Sequence, residues 1–189
     1  MTFCEKGLQK AMKKEYKGEG YVVANTSGGY VIGCENWGVF IHEQAMPNTV
    51  KSLIVLHAGK LPEEGDALKV RKGEVANWIY EMAVDRIQAL TALYKGGKRA
   101  PICPTRLTMD GYRIWQQPNS LEIRLIDPED SQILDFMDND AYLISGTIYG
   151  TTIYGSVFVA CTRIVYEDEP LISCLEQMQW IPVEADHDA

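Results

Sequence analysis

An α+β fold, mostly antiparallel sheet with about four helices, is what this 189-residue sequence predicts. Three observations carry that expectation. Short runs rich in Val, Ile, Tyr and Trp alternate with Gly, Asn and Pro turn clusters, as strands in a meander do. Several other stretches space apolar residues by three and four, the period of a half-buried helix. Hydrophobic residues make up 46% and charged residues 23%, ordinary proportions for a globular chain. The length suits one domain or two small, similar lobes packed together.

Residues 4–17 place Leu8, Met12 and Tyr16 at a spacing of four, with Lys6, Lys10, Lys13, Lys14 and Lys17 on the remaining faces. That pattern predicts an amphipathic helix, stopped by Gly18 and Gly20. From 20 to 41, β-prone runs at 21–24, 30–34 and 37–41 separated by turn-forming residues predict a three-stranded meander. Pro47 opens a helix through Leu56, because its missing N–H has no duty in a first turn; Gly59 stops it and Pro62 follows.

A strand is expected over 67–70, then a long helix over 74–94 in which Val75, Ile79, Met82, Arg86, Leu90 and Leu93 track one face. Gly and Pro bracket the charged stretch 95–101, the best hinge, and divide the chain into an N-terminal lobe, 1–95, and an acidic C-terminal lobe, 96–189. Beyond it, strands are expected at 111–117 and 121–126, and a short helix capped by Asp127 with Pro128 in its first position, ending near Met137. Strands at 142–148, 152–154 and 157–166, an edge strand over 171–181 and a disordered acidic tail from Glu184 complete the list of elements. Gly20-Tyr21-Val22-Val23 weakly echoes Gly111-Tyr112-Arg113-Ile114, which raises an internal duplication.

Charge is the most informative bulk property. Residues 1–18 carry five Lys and two Glu, whereas residues 127–189 carry thirteen acids and only Arg163, a net of −12 against −8 for the whole chain. Such a field repels phosphate backbones and attracts basic surfaces. Direct nucleic-acid binding through the C-terminal third is therefore disfavoured and a basic protein partner is favoured. The residues expected to meet it are Asp127, Glu129, Asp130, Asp135, Asp138, Asp140, Glu167, Asp168 and Glu169.

No apolar stretch approaches the roughly 20 residues of a membrane-spanning helix, and no apolar run follows the first charges as an export signal requires. A cytoplasmic location is the expectation. Five widely spaced cysteines, Cys4, Cys34, Cys103, Cys161 and Cys174, contain no Cys-x-x-Cys pair, so reduced thiols are expected rather than a disulfide framework or zinc knuckle.

Motifs for chemistry fall short. His42-Glu43 lacks the second His of a zinc-protease helix, position 46 being Met46, and Gly96-Gly97-Lys98 lacks the first Gly and the Ser or Thr of a phosphate loop. The segment Asp135-Phe136-Met137-Asp138-Asn139-Asp140 lacks the central Gly and distal Glu of a calcium loop. No cofactor or metal is expected. The preferred function is a non-enzymatic protein-binding module whose acidic surface engages a basic partner. In its narrowest form it is an anti-CRISPR-like inhibitor from a phage or mobile element that blocks the phosphate groove of a defence nuclease. Two alternatives stand beside it: a small enzyme or ligand-binding domain with a pocket between the two lobes, lined by His42, His57 or Cys103, and a clamp-like or homo-oligomeric scaffold whose N-terminal lysine-bearing helix faces DNA.

Overall fold

The computed structural model describes residues 4–85, 100–128, 133, 141–144, 147–151, 157–161 and 174–178. The fold is α+β, as its composition and periodicity predict. The leading helix α1 (Glu5–Lys17) buries Gly7, Leu8, Ala11 and Met12 and leaves its lysines exposed. Cys4 caps it, its Sγ accepting from the Gly7 N–H at 3.4 Å.

The meander follows as β1 (Tyr21–Thr26), β2 (Gly29–Gly33) and β3 (Trp37–His42), then a 3₁₀ turn at Glu43–Ala45 and helix α2 (Asn48–Ala58). Pro47 and Gly59 bound α2 as expected. Gly59 takes a left-handed φ of 78° and donates its N–H to the Val55 carbonyl, a conformation that costs a residue with a Cβ about 1–2 kcal/mol.

The long helix expected over 74–94 is not what forms at its start. β4 (Ala67–Arg71) turns through Lys72 and Gly73 into β5 (Glu74–Trp78), and helix begins only at residue 80. Gly73, with φ of 80°, takes the left-handed conformation at the second position of the turn, which glycine adopts at no steric cost. The stripe Val75, Ile79 and Met82 is exposed rather than core-facing, and Val84 is the residue that goes inward. Arg86, Leu90 and Leu93 lie outside the described residues, as does 95–99 of the expected hinge.

The second half adds β6 (Ala100–Pro101), β7 (Cys103–Met109), β8 (Tyr112–Gln116), β9 (Ile123–Ile126), β10 (Ala141–Ile144), β11 (Thr147–Thr151) and β12 (Val157–Cys161). The pair expected at 111–117 and 121–126 is present; β7 forms where the sequence predicts no strand. The single strand expected over 142–148 is instead broken between β10 and β11, which pair as antiparallel neighbours. Residues 174–176, expected within an edge strand, are helical. Just beyond them, the Gln116 side chain donates to the Met178 carbonyl at 2.7 Å.

Among the described residues the strands form a nine-stranded sheet in the order β5-β4-β1-β2-β3-β12-β11-β10-β6 and a three-stranded sheet β7-β8-β9. The larger sheet takes strands from both sides of residue 96, joined where β12 pairs with β3. On one face, Leu68, Val23, Ile32 and Val39 stand in register across four strands. They pack with Leu8 and Met12 of α1, Val50 and Ile54 of α2, and Trp115 and Ile126 of the smaller sheet. No helix among the described residues is long and apolar enough to cross a membrane.

Candidate functional site

Among the described residues, the opposite face of the large sheet is only partly covered. Val84, with Tyr80 and Ala83 beside it, lies over Ala24, Val31 and Ala67, and next to that cover the sheet opens into a cleft of about 460 Å³. Its floor is one cross-strand row: Lys69 of β4 pairs with Val22 of β1, Val22 with Gly33 of β2, and Gly33 with Gly38 of β3. Two facing glycines keep that floor low. A Cβ at Gly33 would come within 2.8 Å of the Gly38 Cα and closer still to the Trp37 carbonyl oxygen, so the sequence needs glycine there for the strands to approach.

The walls differ in chemistry. Trp78, Met82 and Ala83 form an apolar side, while Glu15, Glu19 and Glu35 stand on the rim. The Lys69 ammonium lies 5.1 Å from the Trp78 ring centroid, a cation–π contact in which the protein's own cation uses the aromatic face. Burial raises the Glu15 carboxyl pKa above its ordinary value; Lys14 opposes this, and Asp127 and Glu19 add to it by repulsion.

Asp127 is therefore a neighbour of the cleft rim, though it is 112 positions from Glu15 in the chain. Its Oδ2 accepts from the Lys14 ammonium at 3.0 Å. One acid of the C-terminal third is thus tied to the opening helix. The other eight expected partner-facing residues, Glu129, Asp130, Asp135, Asp138, Asp140, Glu167, Asp168 and Glu169, lie outside the described residues.

The residues singled out for a pocket do not gather. The His42 ring Nδ1 sits 3.2 Å from the Gly28 carbonyl and its edge meets Phe40. His57 lies flat against Tyr16 with its Nδ1 3.1 Å from the Tyr21 hydroxyl. Cys103 is half-buried, and burial pushes its thiol pKa up, away from a reactive thiolate. None of the three lines the cleft. Among the described residues no group of three or more His, Cys, Asp or Glu side chains is arranged to hold a metal.

Sequence reasoning missed the cleft because its lining runs from Glu15 to Ala83 through most of the N-terminal elements. The available signal was Gly33 and Gly38, two strand glycines flanking one turn. Comparison with protein-family models, with curated proteins and with solved structures gives no match to this chain.

Proposed function

We propose that the chain is a non-enzymatic protein-binding module whose acidic surface engages a basic partner. The observation that carries this reading is that Asp127 and Glu19 both act by repulsion on the Glu15 carboxyl. The acid that opens a segment of net −12 adds its repulsion to that of Glu19 at the cleft rim, so carboxylates from distant parts of the chain contribute to one field. Lys14 offsets part of it. A groove built for phosphates is the kind of surface such a field attracts, and the narrower form of the proposal is therefore an inhibitor of a nucleic-acid-binding nuclease.

Titration against purified basic nucleases from about 50 mM to about 500 mM salt tests this, since screening shortens the reach of charge from roughly 14 Å to 4 Å over that range. Affinity should fall steeply with salt, and Glu19→Gln with Asp127→Asn should weaken it at low salt. Binding that ignores salt, or no binding to any basic protein, would remove the proposal.

The cleft supports a second reading, ligand binding, because its volume lies within the roughly 300–1,000 Å³ of small-molecule pockets. A ligand that shifts Trp78 fluorescence and is lost on Gly33→Ala would favour it.

A further inference from the structure

Lys69 and Trp78 both line the cleft. Lys69 pairs with Ala76, and Ala67 with Trp78, so the two side chains are diagonal neighbours on one face of β4 and β5, within reach of each other because both are long. The ammonium stands 5.1 Å from the indole centroid, and among the described residues it has no carboxylate partner. The ring thus already receives a cation, and that cation is the chain's own.

The rest of the lining is also suited to positive charge. Its charged residues are Glu15, Glu19, Glu35 and Lys69, three carboxylates against one ammonium. Neither Glu15 nor Glu19 forms an ion pair among the described residues; Lys14 turns its ammonium to Asp127. Asp127 and Glu19 repel the Glu15 carboxyl, so a cation in the cleft would offset a repulsion that the folded chain otherwise carries. Trp78 and Met82, 38% and 59% exposed, add apolar surface beside those carboxylates.

An occupant that suits both kinds of wall carries a cation that is flat enough to lie on an indole and donates hydrogen bonds in its own plane. A guanidinium has that form and an ammonium does not. Glu19 and Glu35 are exposed, so a side chain anchored on another protein can pass them with its apolar stem against Met82.

We propose that the cleft seats an arginine side chain of the basic partner, its guanidinium replacing Lys69 on Trp78 with Glu15 and Glu19 beside it. This rests on the basic-partner reading and gives that partner a specific seat. Lys69 then acts as an internal competitor, and its removal should help binding.

The probe is the peptide acetyl-Gly-Arg-Gly-amide, titrated into the full chain to about 20 mM while the Gly33 and Gly38 amide signals are followed by NMR. The citrulline peptide, similar in shape and uncharged, is its control. The arginine peptide should shift both signals and the citrulline peptide should not. Trp78→Ala should weaken binding about two- to fivefold, the share of an exposed cation–π contact. Glu19→Gln should weaken it and Lys69→Met should tighten it. Glu63→Gln, which alters an exposed acid that does not line the cleft, should leave it unchanged. Circular dichroism should match the parent throughout. Equal shifts from the citrulline peptide, or a Lys69→Met variant that binds no better, would overturn the inference. A basic nuclease that binds with the expected salt dependence yet ignores Trp78→Ala would also overturn it, while leaving the acidic-surface reading in place. If the peptide binds and no basic protein does, the occupant is a free organic cation, and the assignment to a partner's arginine falls with the partner.

Discussion

His57 offers the sharpest test of how the helices are fastened to the sheet. Its imidazole stacks on Tyr16 of α1 with ring centroids 3.8 Å apart and planes 2° from parallel, and its Nδ1 lies 3.1 Å from the hydroxyl of Tyr21 in β1. With the ring proton on Nε2, the Tyr21 hydroxyl donates to Nδ1. Burial first, and the Lys13 charge second, lower the His57 pKa from its ordinary 6.5. The unfolded chain therefore takes up this proton at a higher pH than the folded one. Stability from this group is complete above about pH 6.5 and is lost progressively as pH falls toward the depressed folded value.

His57→Phe keeps a flat ring on Tyr16 while removing both the acceptor and the titration. One part-buried hydrogen bond is worth about 0.5–1.5 kcal/mol, and in a chain of this size each kcal/mol moves Tm by about 2–4 °C. The variant should therefore melt about 1–6 °C below the parent at neutral pH. The gap should narrow between neutral pH and about pH 5, because over that range the parent's unfolded chain takes up a proton that its folded imidazole resists. Thermal melts followed by circular dichroism at both pH values measure this directly. Comparing the two proteins at each pH cancels the other titrating groups. A gap that holds constant or widens on acidification would refute the assignment of His57 as a neutral acceptor.

Two further outcomes follow from the backbone and from Glu15. Gly59→Ala should cost only the left-handed conformation, about 1–2 kcal/mol, because nothing lies within 4 Å of the new Cβ, whereas Gly29→Ala would press a Cβ to 2.8 Å from His42 Cα and nearer still to the Ile41 carbonyl. In urea unfolding the Gly29 variant should be the less stable of the two. The Glu15 carboxyl is raised above 4.5, chiefly by burial, so its contribution is present below pH 4.5 and is lost as pH rises through the folded value. Glu15→Gln should consequently be more stable than the parent at pH 7 and show a flatter pH dependence above pH 4.5 in the same assay.

The elements legible in the sequence are those punctuated by local chemistry. Pro47 and Gly59 mark α2 because each fixes the backbone on its own account, and the meander is marked by residues that can hold tight turns. The start of the 74–94 stretch misleads because Val75, Ile79 and Met82 fall at helical spacing by coincidence, while Lys72-Gly73 in front of them closes a hairpin. One residue with a positive φ outweighs a period read over three side chains. The cleft rim was legible only in part. The acidity of 127–189 is visible in composition, but the approach of Asp127 to Glu15 depends on how the end of β9 sits beside the end of α1, and no local pattern encodes that.

The seam between β3 and β12 also bears on how the chain is made. Val159 pairs with Gly38, 121 positions earlier, and closing so long a loop costs roughly 3 kcal/mol more entropy than closing a five-residue hairpin. The meander can zip as soon as it leaves the ribosome, yet the far side of β3 stays bare until residues 157–161 have been synthesised. At about 5–20 residues per second that interval lasts roughly 6–24 s. Throughout it a nascent chain displays a ready template for mispairing, so its yield in a cell should depend on chaperone supply more than the finished stability alone would suggest.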